Sequence, residues 1–124
     1  MFDAKKVTLG SDRSGFTVVL GMGGTIAGRA AAASDNVGYV AGQVPVAELL
    51  SGLGSDPLPP LLSEQVAQID SKDMSHAHWQ TLAQRCMHWL AQDDVCSVVI
   101  THGTDTLEET AWFLQQVLHT HKPV

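Results

Sequence analysis

The sequence predicts an α/β fold, a Rossmann-like or flavodoxin-like parallel sheet with helices on both faces. Three apolar strands are predicted, and each ends in a loop of glycines, hydroxyls or carboxylates before helical periodicity resumes. Strands that alternate with helices favour parallel pairing. Right-handed crossovers then bring the carboxyl ends of the strands to one edge of the sheet. In open α/β sheets this edge is where ligands bind.

Apolar runs and turn residues place the elements in order. A polar tail is predicted for residues 1–15, and the predicted strands are 16–20, 64–69 and 96–101. The first helix is predicted to open near Pro45, which suits a first helical turn, and the others span 75–91 and 106–119. Two loops are predicted, 21–43 and 52–60. The apolar stripes of the last two helices predict core positions; they are Trp79, Leu82, Cys86 and Leu90, then Leu107, Thr110, Ala111, Leu114 and Leu118.

The loop after the last strand carries the densest set of functional groups. Val98, Val99 and Ile100 run directly into residues 101–106, which hold hydroxyls, a histidine and a carboxylate. Thr106 and Glu109 have the spacing of a capping box, so Thr106 is expected to cap the following helix. The alternative to an active site is an ordinary capped turn in which an acid neutralises the helix dipole.

The loop after the first strand is rich in glycine. Glycines flank Thr25 on its amino-terminal side, which lets the backbone turn sharply and leaves room for a substrate. A phosphate-binding loop is the competing interpretation. The dinucleotide spacing is broken at Ile26, and Arg29 and Ala30 stand where a Walker loop needs lysine and a hydroxyl residue, so nucleotide binding is a minor alternative.

The middle loop reads Asp70, Ser71, Lys72, Asp73 and Met74. All three loops are expected to meet, because parallel strands present their carboxyl ends on one side of the sheet. This convergence favours an enzyme, and a binding module would use it as well.

Three motifs in this order resemble the bacterial L-asparaginases: G-G-T-I-A-G at 23–28, D-S-K-D-M at 70–74 and H-G-T-D-T-L-E-E-T-A at 102–111. The resemblance implies that residues 16–124 are an incomplete N-terminal asparaginase domain, with the C-terminal domain absent. It also implies hydrolysis of the side-chain amide of L-asparagine to L-aspartate and ammonia through a threonine acyl-enzyme.

The resemblance implies a role for each matching residue. Thr25 matches the nucleophile, and Tyr39 matches a tyrosine on a flexible lid that helps to activate it. Thr104 and Asp105 match the second threonine and its aspartate, which take part in proton transfer and receive the α-ammonium. Ser71 matches the serine that binds the α-carboxylate. Taken without the resemblance, Tyr39 is as readily an exposed loop aromatic and Ser71 a turn residue.

Lys72 departs from the family pattern, in which better-known members often carry a glutamine at this position. Its cation either holds the α-carboxylate of the substrate or points to solvent, so the preference between L-asparagine and L-glutamine stays open. The family also uses a lysine and a second domain that would follow Val124. The alternative function is therefore a catalytically silent homologue that acts as an amino-acid-binding or assembly module. Residues 121–124 resemble the approach to another strand.

Composition bounds the partners and the compartment. The formal net charge is -6 with seven Lys and Arg, which disfavours nucleic acid as a partner. No apolar run approaches membrane-spanning length, and residues 1–13 lack the apolar core of a secretory signal, so a cytoplasmic protein is expected. The spacing of the six histidines does not favour a metal site, and no cofactor is expected. The resemblance implies a homo-oligomer, a dimer or a tetramer, for a full-length chain.

Overall fold

The computed structural model describes residues 15–30, 39–53 and 60–124, so the predicted tail lies outside it except for Gly15. The strands are β1 (Phe16–Gly23), β2 (Arg29–Ala30), β3 (Tyr39–Val40), β4 (Leu61–Ile69) and β5 (Val95–Thr101). The helices are α1 (Val46–Ser51), α2 (His76–Leu90) and α3 (Leu107–Val117). The predicted strands and helices are present, with ends that differ by a few residues.

The main sheet has the strand order β4-β1-β5, and β1 pairs in parallel with both neighbours. The predicted parallel α/β fold is therefore confirmed. In the described residues of the region 21–43, which was expected to be loop throughout, β1 continues to Gly23, a 3-10 turn covers Thr25–Ala27, and β2 pairs with β3 in an antiparallel arrangement. The turn and the β2–β3 pair are short features held by neighbouring backbone, which apolar periodicity does not reveal.

Helices cover both faces of the central strand. One core joins β1 to α2 and α3 through Val18, Leu20, Met22, Leu82, Cys86 and Leu114. On the opposite face Val19 is buried, and Val46 of α1 lies against Gly21. The chain moves from β1 to β4 in one direction and from β4 to β5 in the other, so connections of one hand must use opposite faces of the sheet.

The two cysteines of the described residues are free thiols. Cys86 is fully buried in the core, and burial raises the pKa of its thiol to about 11. It therefore stays protonated at neutral pH and behaves as a small apolar side chain.

The expected capping box at Thr106 is wrong. α3 has no side-chain cap, and the Thr106 hydroxyl donates to the Ser71 carbonyl at 2.9 Å. A tertiary acceptor has taken the hydroxyl that local spacing assigned to the helix. The capping box lies instead at the start of α2, between Ser75 and His78.

The predicted apolar stripe of α2 is core, whereas that of α3 is only partly covered. Thr110 and Leu114 are buried, but Leu107 is 44% exposed and Ala111 is also exposed. Both line a cavity of about 450 Å³ beside Ile100 of β5.

The segment after α3 returns along the outer side of β5. The Lys122 ammonium donates to the carbonyls of Leu90 at 2.8 Å and Gln92 at 2.5 Å, where α2 ends. The Val98 amide donates to the Pro123 carbonyl at 3.0 Å. Residues 121–124 are not a strand, yet this bond places them where a strand next to β5 would run.

A charged cluster fastens β4 to α2. The Glu64 carboxylate accepts from Arg85 Nε at 2.5 Å, from Arg85 Nη2 at 2.8 Å and from Trp89 Nε1 at 2.6 Å. The hydrogen bond from Arg85 is the largest cause that lowers the pKa of the Glu64 carboxyl. A bidentate contact between a guanidinium and a carboxylate fixes the orientation of both partners.

We expect Glu64→Gln to destabilise the protein by roughly 1–3 kcal/mol at neutral pH, because the ionised acceptor is lost. The folded-state pKa of Glu64 lies below its unfolded value, so its contribution is present above the unfolded pKa and is lost as the pH falls through the folded pKa. Thermal unfolding of wild type and variant at pH 7, 5 and 3 should show a difference that shrinks with acid. Asp93→Asn, in the exposed turn after α2, is the matched control. A difference that does not change with pH would contradict the ion pair as its source.

Candidate active site

Three loops meet at the carboxyl edge of the main sheet, one after each of its strands. Gly24 follows β1, Ser71 follows β4 and Gly103 follows β5. A Cβ on Gly103 would lie 2.7 Å from the Ser71 Cβ and 3.1 Å from the Gly24 Cα, and a Cβ on Gly24 would collide with the Gly103 backbone. The loops are therefore in direct contact, with no space for a side chain at either glycine.

Backbone hydrogen bonds fix the loop that carries Thr25. The Gly24 amide donates to the Ile69 carbonyl at 2.8 Å, and the Gly24 carbonyl accepts from Ala27 at 3.1 Å and from Gly42 at 3.0 Å. Gly24 has φ of 80°, a left-handed conformation that a side chain would strain. Thr25 follows at once, exposed to solvent at the start of the 3-10 turn. Thr25 therefore lies at an exposed position on a loop that backbone hydrogen bonds hold in place.

Ser71 is the buried polar residue of the site, at 3% exposure. Its Oγ accepts from the Asp105 amide at 3.2 Å, and its carbonyl accepts from the Thr106 hydroxyl at 2.9 Å. Because Oγ is an acceptor in this contact, its own hydrogen is free to be donated to a ligand oxygen. Ser71 therefore joins the second loop to the third and offers one donor at the edge of the sheet.

Lys72 lies among carboxylates. Its Nζ is 2.7 Å from Asp73 Oδ2 and 3.9 Å from Asp70 Oδ2, and its side chain is 62% exposed. The hydrogen bond to Asp73 is the largest cause that raises the pKa of the Lys72 ammonium, and attraction to the charge of Asp105 adds to it. The sequence left two orientations open for the Lys72 ammonium. In the structure it pairs with Asp73 at the rim, close enough to Asp105 to be attracted by its charge.

Thr104 and Asp105 are both exposed in the turn between β5 and α3. They share the edge of the sheet with Thr25 and Ser71, as the contacts of Gly24, Ser71 and Gly103 require. Tyr39 begins β3, where its backbone pairs with Ala30. Its side chain lies outside the described part of the chain.

A hydrogen-bond chain supports the third loop from behind. Trp79 Nε1 donates to Thr110 Oγ1 at 2.8 Å, and Thr110 Oγ1 lies 2.9 Å from His102 Nε2. The Gly103 carbonyl can only accept, so His102 Nδ1–H donates to it at 2.6 Å. In a neutral imidazole Nε2 is then the acceptor, and it takes the Thr110 hydroxyl hydrogen. His102 thereby links the backbone of the third loop to α3. The sequence did not reveal that Thr110 and Trp79 support this loop by hydrogen bonds. It placed both residues only on the apolar stripes of the helices.

Chemically, the arrangement presents an exposed hydroxyl, a carboxylate and a buried serine donor on a fixed frame. Among residues 15–30, 39–53 and 60–124, no three His, Cys, Asp or Glu side chains are grouped so as to hold a metal ion. None of the helices described is long and apolar enough to cross a membrane.

Comparison with known proteins places the chain among similar sequences. Residues 17–124 match the family model described as asparaginase, N-terminal. The chain is 44% identical over 108 residues to a glutaminase-asparaginase from Pseudomonas aeruginosa, and this alignment covers 86% of this chain and 30% of that protein. It is 39% identical over 107 residues to L-asparaginase 2 from Bacillus subtilis, covering 86% of this chain and 28% of that protein. The chain thus spans less than a third of the length of these curated relatives.

A solved structure shares the fold. The crystal structure of the probable cytoplasmic L-asparaginase from Campylobacter jejuni aligns with a TM-score of 0.71 and 38% identity, over 81% of this chain and 31% of that one.

We expect Gly103→Ala to destabilise the protein by roughly 1–3 kcal/mol, because the added methyl group would overpack the contact with Ser71 and Gly24. Chemical denaturation measures the loss. Gly52→Ala is the matched control, since the nearest atom to a Cβ there is 3.6 Å away. Equal stability of the two alanine variants would show that the loops separate easily.

Proposed function

Because the chain belongs to the asparaginase family, we propose that the complete polypeptide in which it occurs hydrolyses the side-chain amide of L-asparagine to L-aspartate and ammonia. One observation carries the proposal. The three segments that resemble asparaginase motifs, far apart in sequence, are pressed together through Gly24, Ser71 and Gly103. Hydrolysis of an amide needs a nucleophile and binding groups for both charged ends of the amino acid, and these segments supply such groups together.

Thr25 is proposed as the nucleophile. Its Oγ attacks the side-chain amide carbon, the carbon–nitrogen bond breaks as the amide nitrogen takes up the proton lost by Thr25 and leaves as ammonia, and an ester to Thr25 remains. Water then cleaves this ester, which releases L-aspartate and returns the proton to Thr25. A threonine hydroxyl is a weak nucleophile until a base accepts its proton. Tyr39 is proposed for that step, which requires a phenol whose pKa is held well below its usual value of about 10.

The remaining residues are proposed to bind the substrate and to serve the second step. Asp105, exposed at the rim, pairs with the α-ammonium group. Ser71 donates its hydroxyl hydrogen to the α-carboxylate, and its contact with the Asp105 amide holds the two recognition groups in a fixed relation. Thr104 takes part in proton transfer or water activation. Lys72 adds positive charge near the α-carboxylate when it leaves Asp73.

L-Glutamine is proposed as a poorer substrate of the same site. A cytoplasmic location and assembly into a dimer or tetramer are proposed for the complete protein. The name of the Campylobacter jejuni neighbour supports the location, since that protein is described as probably cytoplasmic.

A second candidate function is a catalytically silent amino-acid-binding or assembly module. The exposure of Thr25, Thr104 and Asp105 favours it for these 124 residues taken by themselves, because described residues leave the reacting groups open to water. Catalytic sites usually exclude water when the substrate is bound. Ammonia release by the complete polypeptide, compared with residues 1–124 alone, separates the two functions.

We expect Thr25→Ala to abolish ammonia release by the complete polypeptide while the binding of L-aspartate is largely kept, because the variant loses the attacking oxygen and keeps the charged binding groups. Coupled ammonia detection and calorimetric titration with L-aspartate measure the two properties. Thr81→Ala, which removes an exposed hydroxyl from α2, is the control. Undiminished turnover by Thr25→Ala would contradict the assignment of Thr25 as the nucleophile.

Asp105→Ala is expected to raise the KM for L-asparagine roughly tenfold to a hundredfold, because a hydrogen bond between charged groups is worth about 1.5–3 kcal/mol. Steady-state kinetics test this, with Asp93→Ala as a control that removes a carboxylate from an exposed turn. A KM equal to that of wild type would rule out the ammonium contact.

A further inference from the structure

The pairing of β4 with β1 is interrupted just before both strands reach the site. Gly21 pairs with Gln65 and Gly23 pairs with Ile69, so β1 advances by two residues where β4 advances by four. Residues inserted in this way leave backbone groups without ladder partners and redirect the end of the strand. Here the redirected end of β4 leads to Asp70 and Ser71.

The side chain of Gln65 takes the place of the missing ladder bonds. Its Nε2 donates to the Gly21 carbonyl at 3.1 Å and to the Ala67 carbonyl at 2.6 Å. Its Oε1 accepts from the Val46 amide at 2.7 Å. Both amide hydrogens and the amide oxygen of Gln65 are thereby used. The fit is close, since a Cβ on Gly21 would lie 2.9 Å from Nε2.

Each backbone partner of Gln65 leads to a different functional residue. Gly21 lies four positions before Thr25, and Ala67 lies four positions before Ser71. Val46 opens α1, directly after the segment that returns from Tyr39. The Gln65 side-chain amide therefore connects three elements: the end of β1 before Thr25, the end of β4 before Ser71, and the start of α1 after the segment that carries Tyr39.

We propose that Gln65 is a positioning residue, which ties the first turn of α1 to the ends of β1 and β4 and so steadies the segment between Tyr39 and α1. This proposal rests on the proposed function. The serine loop has supports of its own in Asp105 and Thr106. The segment before α1 also has backbone bonds of its own to the Thr25 loop, from Gly42 to Gly24 and from Gln43 and Val44 to Ala27. The bond from Val46 to the Gln65 side chain adds the first turn of α1 to this frame. Loss of the amide should therefore disturb nucleophile activation more than substrate binding.

The stability of the fold depends little on Gln65. The residue is exposed and sits at the surface of the sheet edge, so water can replace its hydrogen bonds when the amide is removed. Water does not hold the two segments at a fixed separation, and small misplacements of reacting groups lower rates strongly. Function and stability are therefore expected to respond differently to the same substitution.

The test is Gln65→Met in the complete polypeptide, with Gln68→Met as the matched control on the same strand. We expect kcat for L-asparagine to fall roughly tenfold or more, with KM changed less than about threefold and the melting temperature close to that of wild type. Amide hydrogen exchange at Val46 should become faster in Gln65→Met only. Gln65→Asn keeps the polarity and loses the reach, so it should show the same pattern and serves if the methionine variant does not fold.

The outcomes separate this proposal from the proposed function. A wild-type polypeptide that releases no ammonia from L-asparagine or L-glutamine contradicts the function, and the positioning role with it. An active wild type with equal kcat in the Gln65 and Gln68 variants contradicts the positioning role alone. A lower melting temperature with unchanged kcat in Gln65→Met would assign the amide a purely structural role and overturn the proposal.

Discussion

Close contact between backbones governs the site edge of this protein. Gly24 and Gly103 touch, and the Ser71 side chain fills the remaining space. Three strands of a parallel sheet bring their loops near one another. These loops approach to van der Waals distance only because glycine, which has no side chain, stands at the points of contact. The exposed groups beside the contact, Thr25, Thr104 and Asp105, are then carried on one continuous piece of structure rather than on three independent loops.

Layers of polar support surround this contact and differ in what they hold. Thr106 and the Asp105 amide tie the third loop to Ser71. The chain of Trp79, Thr110 and His102 supports the same loop from the helices. Together these bonds hold the loop that carries Thr104 and Asp105 from two sides.

Sequence predicted the elements of the fold more fully than the contacts of the site. The central strand is a run of apolar residues such as Val18, Val19 and Leu20 because both of its faces are buried, and such a run is visible without a structure. The position of Gln65 was not visible, since its three partners come from different elements. The capping box predicted at Thr106 was wrong for the same reason. Local spacing predicts a local partner, whereas the Thr106 hydroxyl binds the carbonyl of Ser71, which is distant in sequence. The roles of Thr25, Tyr39, Ser71, Lys72, Thr104 and Asp105 remain predictions.

The return of the chain past β5 also bears on how much of the outer side of that strand is left open. An outer strand offers a row of amides and carbonyls to any passing strand, and Val99, 48% exposed, adds apolar surface there. The Val98 amide is already engaged by Pro123, and a proline has no amide hydrogen with which to continue a ladder. Lys122 anchors this segment on the end of α2 with a positive charge. Within the described residues, Lys122 and Pro123 thus occupy a stretch of the β5 edge that would otherwise offer its backbone groups to another strand.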